Sequence, residues 1–147
     1  MMSFLDENKG DDDAAPRSAG VVSRIYEKWG KAAIAGFQPV PDLLLKNQVA
    51  LGLTPTDITV LLNVMMHWWY PEKMPFPRPT TIAKRMGVNV RTVQRSLSAM
   101  EAAGIIGRIS SKDGPSYINP EPLVKRLSEL ADHDKDYQIR AKRLEEY

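Results

Sequence analysis

The stretch Pro79 to Gly104, PTTIAKRMGVNVRTVQRSLSAMEAAG, restricts the fold more than any other part of the chain. It spells two helices joined by a tight turn. Pro79 suits the first position of a helix, where its missing N–H costs nothing. Ile82, Ala83 and Met86 then form one apolar face, and Gly87 can take the left-handed conformation that ends a helix. Asn89 is placed to cap a second helix. Within that helix Val90, Val93, Leu97 and Met100 recur at spacings of 3, 4 and 3, which predicts one buried stripe. Arg91, Thr92, Gln94, Arg95 and Ser98 fall on the other side.

These features together resemble the winged helix-turn-helix DNA-binding family, found in bacterial regulators and in plasmid or phage replication proteins. The resemblance rests on small Ala83 at the helix crossing, on Gly87, and on the run Val88-Asn89-Val90-Arg91-Thr92-Val93. The run from Leu97 through Gly104 to Ile105-Ile106 resembles the exit of that family's recognition helix. The similarity extends from about Phe37 to Pro120. It implies a mainly α fold with a small β-hairpin, in which residues 90–103 are the recognition helix and residues 105–118 the wing.

Charge agrees with that expectation. The net charge is only +2, and Asp6, Glu7, Asp11, Asp12 and Asp13 make the first residues acidic. Between Arg78 and Lys112 the balance reverses: Arg78, Lys84, Arg85, Arg91, Arg95, Arg108 and Lys112 stand against Glu101 alone. A basic segment that coincides with a helix-turn-helix pattern is the footprint of a nucleic-acid binder. The expected partner is double-stranded DNA. Arg91 and Arg95, one turn apart, can reach base edges together with Gln94, Thr92 and Ser98, since Arg grips guanine and Gln grips adenine through paired hydrogen bonds. Arg78, Thr80, Thr81 and Asn89 sit near helix starts, where phosphates are held, and Arg108 and Lys112 extend the grip from the wing.

Composition bounds the alternatives. The chain has 147 residues, 43% of them hydrophobic and 26% charged, an ordinary globular balance. It contains no cysteine, which excludes disulfides and thiolate metal sites. The two histidines, His67 and His133, lie far apart, so no metal is expected. The sequence holds no phosphate-cradling Gly-rich loop and no nucleophile elbow, and its carboxylates concentrate in the tails. No catalytic residue, cofactor or enzymatic activity is expected. No apolar run approaches the roughly 20 residues that span a bilayer, and the first residues lack a signal peptide's basic and apolar regions. The expected location is the cytoplasm.

The remaining chain falls around the central motif. Residues 1–20 read as a disordered acidic tail, residues 21–120 as the winged domain, and residues 121–147 as a C-terminal helix. Val21 to Trp29 suits a short helix, and Ala33 to Val40 a short strand that pairs with the wing. Pro41 to Leu51 reads as helical with Leu44, Leu45, Gln48 and Val49 inward. Thr54-Pro55-Thr56-Asp57 carries the strongest capping signal, ahead of a core helix with Ile58, Leu61, Leu62, Met65 and Trp69 on one face and Val60, Val64 and Trp68 on the next. That helix is expected to stop at Tyr70-Pro71, with Trp68, Trp69 and Tyr70 as core residues. Asp113-Gly114 between two apolar runs, Ile105–Ile109 and Ser116–Ile118, signals a hairpin. Leu123, Leu127, Leu130, Asp134, Tyr137, Ala141 and Leu144 trace a heptad seam that suits either packing on the domain or homodimerisation. The expected role is a bacterial transcription regulator. The alternatives are a plasmid or phage replication or partition initiator, and a winged helix used as a protein-interaction module.

Overall fold

A computed structural model describes residues 16–110 and 112–145. They divide into one unit ending at Pro39 and another beginning at Val40. In the first, helix α1 (Pro16–Trp29) is followed by the single turn α2 (Lys31–Ile34). Gly30 sits between them at φ 59°, its N–H bonded to the Tyr26 carbonyl at 2.8 Å. The rings of Tyr26 and Phe37 meet edge to face with centroids 6.1 Å apart. Most of the expected disordered tail lies outside the described residues, but residues 16–20 belong to α1. The strand expected over Ala33–Val40 does not form. Ala33 and Ile34 are helical, Gly36 has φ 120°, and Pro39 has no N–H to offer a ladder.

The second unit opens with α3 (Asp42–Lys46), which is shorter than the helix expected over Pro41–Leu51. Residues 47–52 continue as hydrogen-bonded turns, and Gly52 at φ 71° lets the chain reverse. The reversal changes which side chains face inward. Leu44, Leu51 and Leu53 are buried, whereas Leu45 is exposed and Val49 is 94% exposed.

Helix α4 (Pro55–Met65) starts as its sequence dictates. Thr54 Oγ1 accepts the Asp57 N–H at 3.1 Å, and Asp57 Oδ2 accepts the Thr54 N–H at 3.0 Å. This reciprocal cap satisfies two donors that the helix itself cannot. Ile58, Val60, Leu61, Val64 and Met65 are buried on two adjoining faces, so α4 is the helix around which the unit packs. It ends at Met65, earlier than the expected stop at Tyr70. The tryptophans therefore fall in the linker: Trp68 is half-buried and Trp69 and Tyr70 are exposed, contrary to their expected place in the core.

Helices α5 (Pro79–Met86) and α6 (Val90–Ala102) follow the sequence reading closely. Both stop in the same way. Gly87 at φ 67° closes α5, with the Val88 N–H reaching back to the Ala83 carbonyl at 3.1 Å. Gly104 at φ 72° closes α6, and the Ile105 N–H meets the Met100 carbonyl at 2.9 Å. Such back-bonds satisfy carbonyls left open at a helix end. Ile105 and Ile106 then drop into the core instead of opening the wing, so strand β1 is only Gly107–Ile109.

Strand β2 (Tyr117–Asn119) pairs antiparallel with β1, placing Arg108 opposite Ile118. The other side of β2 is met by the linker, where the Ile118 N–H donates to the Pro75 carbonyl at 2.9 Å. Pro75 thus takes the place expected for residues 33–40 beside the wing.

The C-terminal seam is not one helix. α7 (Glu121–Ala131) buries Leu123, Leu127 and Ala131, and Leu123 and Leu127 join the same core cluster as α4. The chain breaks after Asp132 and restarts as α8 (Lys135–Glu145). Asp134 causes the restart, because its Oδ2 accepts the Tyr137 N–H at 3.0 Å as a cap. Residues Leu123 and Leu127 are therefore committed within the chain, leaving Tyr137, Ile139 and Leu144 exposed on α8.

Candidate nucleic-acid interface

Ala83 is buried where α5 and α6 pack, and the stripe Val93, Leu97 and Met100 fixes the roll of α6. Ser96 adds a polar pin to this stripe. Its hydroxyl donates to Asp57 Oδ1 at 2.6 Å in a buried link, 39 positions apart in sequence. The acid that caps α4 therefore also holds α6. Apolar periodicity gives no sign of this pair; only the capping pattern marks Asp57, and nothing in the sequence marks Ser96.

With that stripe held, Arg91, Gln94, Arg95 and Ser98 face outward and are exposed, while Thr92 is half-buried. Arg91 and Arg95 are one turn apart, and their side chains make no ion pair among the described residues. Asn89 caps α6, its Oδ1 accepting the Arg91 N–H at 2.9 Å, which leaves its amide NH₂ free to donate to another partner. At the start of α5, Arg78 is exposed in extended backbone and no side chain caps the helix. Thr80 is exposed and Thr81 half-buried on its first turn.

Arg108 occupies a different setting from the free arginines. Its Nη2 donates to Glu101 Oε1 and to the Ser98 hydroxyl, both at 3.0 Å, and its Nε reaches Glu101 at 3.1 Å. It straps β1 to the second half of α6. Lys112 is exposed on the turn beyond. Lys84 and Arg85, exposed in the last turns of α5, add positive charge that the sequence reading counted but did not assign to contacts.

Residues 51–106 match a family described as a helix-turn-helix domain. This segment of the chain is a helix-turn-helix domain. It runs from Leu51 through α4, α5 and α6 to Ile106, and the hairpin follows directly in the position of a wing. No curated protein sequence matches the chain. Among the described residues, no helix is long and apolar enough to cross a membrane, and no cluster of His, Asp or Glu could hold a metal ion.

Proposed function

We propose that this chain binds duplex DNA in a sequence-directed way, with α6 in the major groove and the hairpin on the flanking backbone. The observation that carries this reading is the exposed, unpaired Arg91, Gln94 and Arg95 opposite the buried stripe of a helix-turn-helix domain. A helix of α6's width suits the major groove, and those side chains match the two acceptors of guanine and the acceptor–donor pair of adenine. Arg78, Thr80, Thr81 and the Asn89 amide would hold phosphate at the uncapped start of α5 and at the turn, and Lys112 would do so from the wing. Arg108 serves first to aim the wing.

The role is that of a bacterial transcription regulator acting as a weak homodimer joined through α8, since α7's leucines are buried. A second reading, a plasmid or phage replication or partition initiator, draws on α8's exposed Tyr137, Ile139 and Leu144 as a face for another protein. Selection of binding sites from random duplexes, followed by anisotropy on the best site, tests the DNA reading. Arg91→Ala and Arg95→Ala should each lose roughly 1–3 kcal/mol of specific affinity with little change in melting temperature. Equal affinity of the wild type and the double variant would overturn it. Genome-wide DNA pull-down separates the two roles, by sites at promoters or at a single origin.

A further inference from the structure

The linker between α4 and α5 carries three aromatic rings that lie outside the core and are largely exposed. Trp69 is 76% exposed, Tyr70 54% and Phe76 58%. They border one hollow of about 350 Å³, together with His67, Lys73 and Met74. The rings are positioned, not loose. The Trp69 indole N–H donates to the Met66 carbonyl at 2.6 Å, which satisfies its polar atom internally and leaves its ring surface to solvent. Phe76 is held edge to face by Tyr117 of the wing, with centroids 5.5 Å apart. Lys73 lies 5.5 Å from the Tyr70 ring centre.

We propose that Trp69, Tyr70 and Phe76 form a stacking platform for unpaired bases of single-stranded DNA next to a duplex site. The proposal rests on the duplex-binding reading above. Two observations select this occupant. The first is continuity: His67 and Phe76 also line a larger groove of about 750 Å³ that passes Arg78 and Thr81 and ends at the wing turn by Asp113. A strand leaving the duplex along the start of α5 would be led onto the rings. The second is charge. From Met66 to Met86, Lys73, Arg78, Lys84 and Arg85 face Glu72 alone, and Asp113 is the one acid lining either hollow. Rigid rings beside a cationic track are how proteins hold single strands without reading their sequence, because every base has a face to stack.

The test uses the full chain and anisotropy on three labelled DNAs: the selected blunt duplex, the same duplex with a 5′ or 3′ extension of about eight thymidines, and the free thymidine oligomer, lengths within the range one such site covers. One of the two extensions should tighten binding roughly tenfold over the blunt duplex, the scale of a stacked base. Trp69→Ala and Phe76→Ala should each remove most of that gain while leaving blunt-duplex affinity unchanged, and Trp69→Phe, which keeps a ring, should retain it. If neither extension adds affinity while the blunt duplex still binds, the platform is not a base-stacking site and the proposal falls. If the blunt duplex fails to bind but the oligomer binds through Trp69, the duplex reading falls and the platform stands. Binding gains that survive both alanine variants would also overturn the proposal.

Discussion

Helix α6 and the last helix α8 have 13 and 11 residues and share an amphipathic, basic character, yet α6 buries Val93, Ser96, Leu97 and Met100 while α8 buries none of its residues. α6 is fixed by shape: apolar side chains on one stripe, a buried hydroxyl bond to Asp57, and a glycine stop. α8 is tethered by charge. Lys46 Nζ meets Asp136 Oδ2 at 2.8 Å and Asp134 Oδ1 at 3.5 Å, and the Gln138 amide reaches the Asp132 carbonyl at 3.1 Å. An apolar stripe on a helix thus does not say what covers it. α6, which carries Arg91 and Arg95, is packed, and α8, which buries no residue, is held lightly.

The largest expected contrast comes from matched deletions. Leu97→Ala on α6 should destabilise the domain by about 2–5 kcal/mol, because it removes a buried side chain and leaves a cavity. Leu144→Ala on α8 should stay within about 0.5 kcal/mol, as exposed substitutions do. Urea unfolding of both variants measures the difference, and comparable losses would mean that α8 is packed after all.

Ser96→Ala should come next, at roughly 1–3 kcal/mol, since it strands a buried carboxylate oxygen. On the proposed reading it should also weaken DNA binding, although Ser96 is buried on the side of α6 away from Arg91 and Arg95. A variant with reduced stability and unchanged site preference would limit Asp57–Ser96 to a structural role.

Much of α6 is legible in the residues themselves, because caps, glycine stops and the apolar period are local signals. Thr54-Pro55-Thr56-Asp57, Gly87 and Asn89 each act on backbone groups within a few positions, and each takes its expected place. Most of the misses come from competing local signals that the apolar period masks. Val49 is exposed because Gly52 reverses the chain before a helix can carry it inward. Trp69 and Tyr70 continue the apolar period of α4 on paper, but the helix has already ended at Met65. The heptad seam reads unbroken through Asp134, whose carboxylate instead starts a new helix. The exposed face of α6 with Arg91, Gln94, Arg95 and Ser98 was legible from the apolar period opposite it. Arg108's engagement with Glu101 and Ser98 was not, since it depends on how the hairpin folds back.

A smaller effect concerns association. Truncation after Asp132 keeps the buried Leu123 and Leu127 and removes only α8. The shortened chain should remain folded and sediment as a monomer at concentrations where the full chain self-associates. A dimer that survives the truncation would move the interface away from α8.

The smallest effect is on pH. Hydrogen bonding to Lys46 lowers the Asp136 pKa below its ordinary value, and the same bond raises that of Lys46. The Asp136 contribution is present above the unfolded value of 3.8 and is lost as pH falls through the lower folded value. The Lys46 contribution is present below 10.5 and is lost as pH rises through the higher folded value. Amide exchange in α8 should therefore be slowest, relative to the unfolded chain, between those limits. Both groups are solvent-exposed, so added salt should flatten the profile.

A two-stranded hairpin by itself is marginal in water, yet this one is gripped from both sides. Arg108 ties its first strand to α6, and the Pro75 carbonyl takes the Ile118 N–H of its second. The conformational freedom of the hairpin is consequently lost when the chain folds, not when a ligand arrives. On the proposed reading, encounter with DNA then requires two preformed surfaces to meet in one orientation. Cutting either grip should leave the final contacts unchanged while making them harder to reach, so the loss should fall on the rate of association.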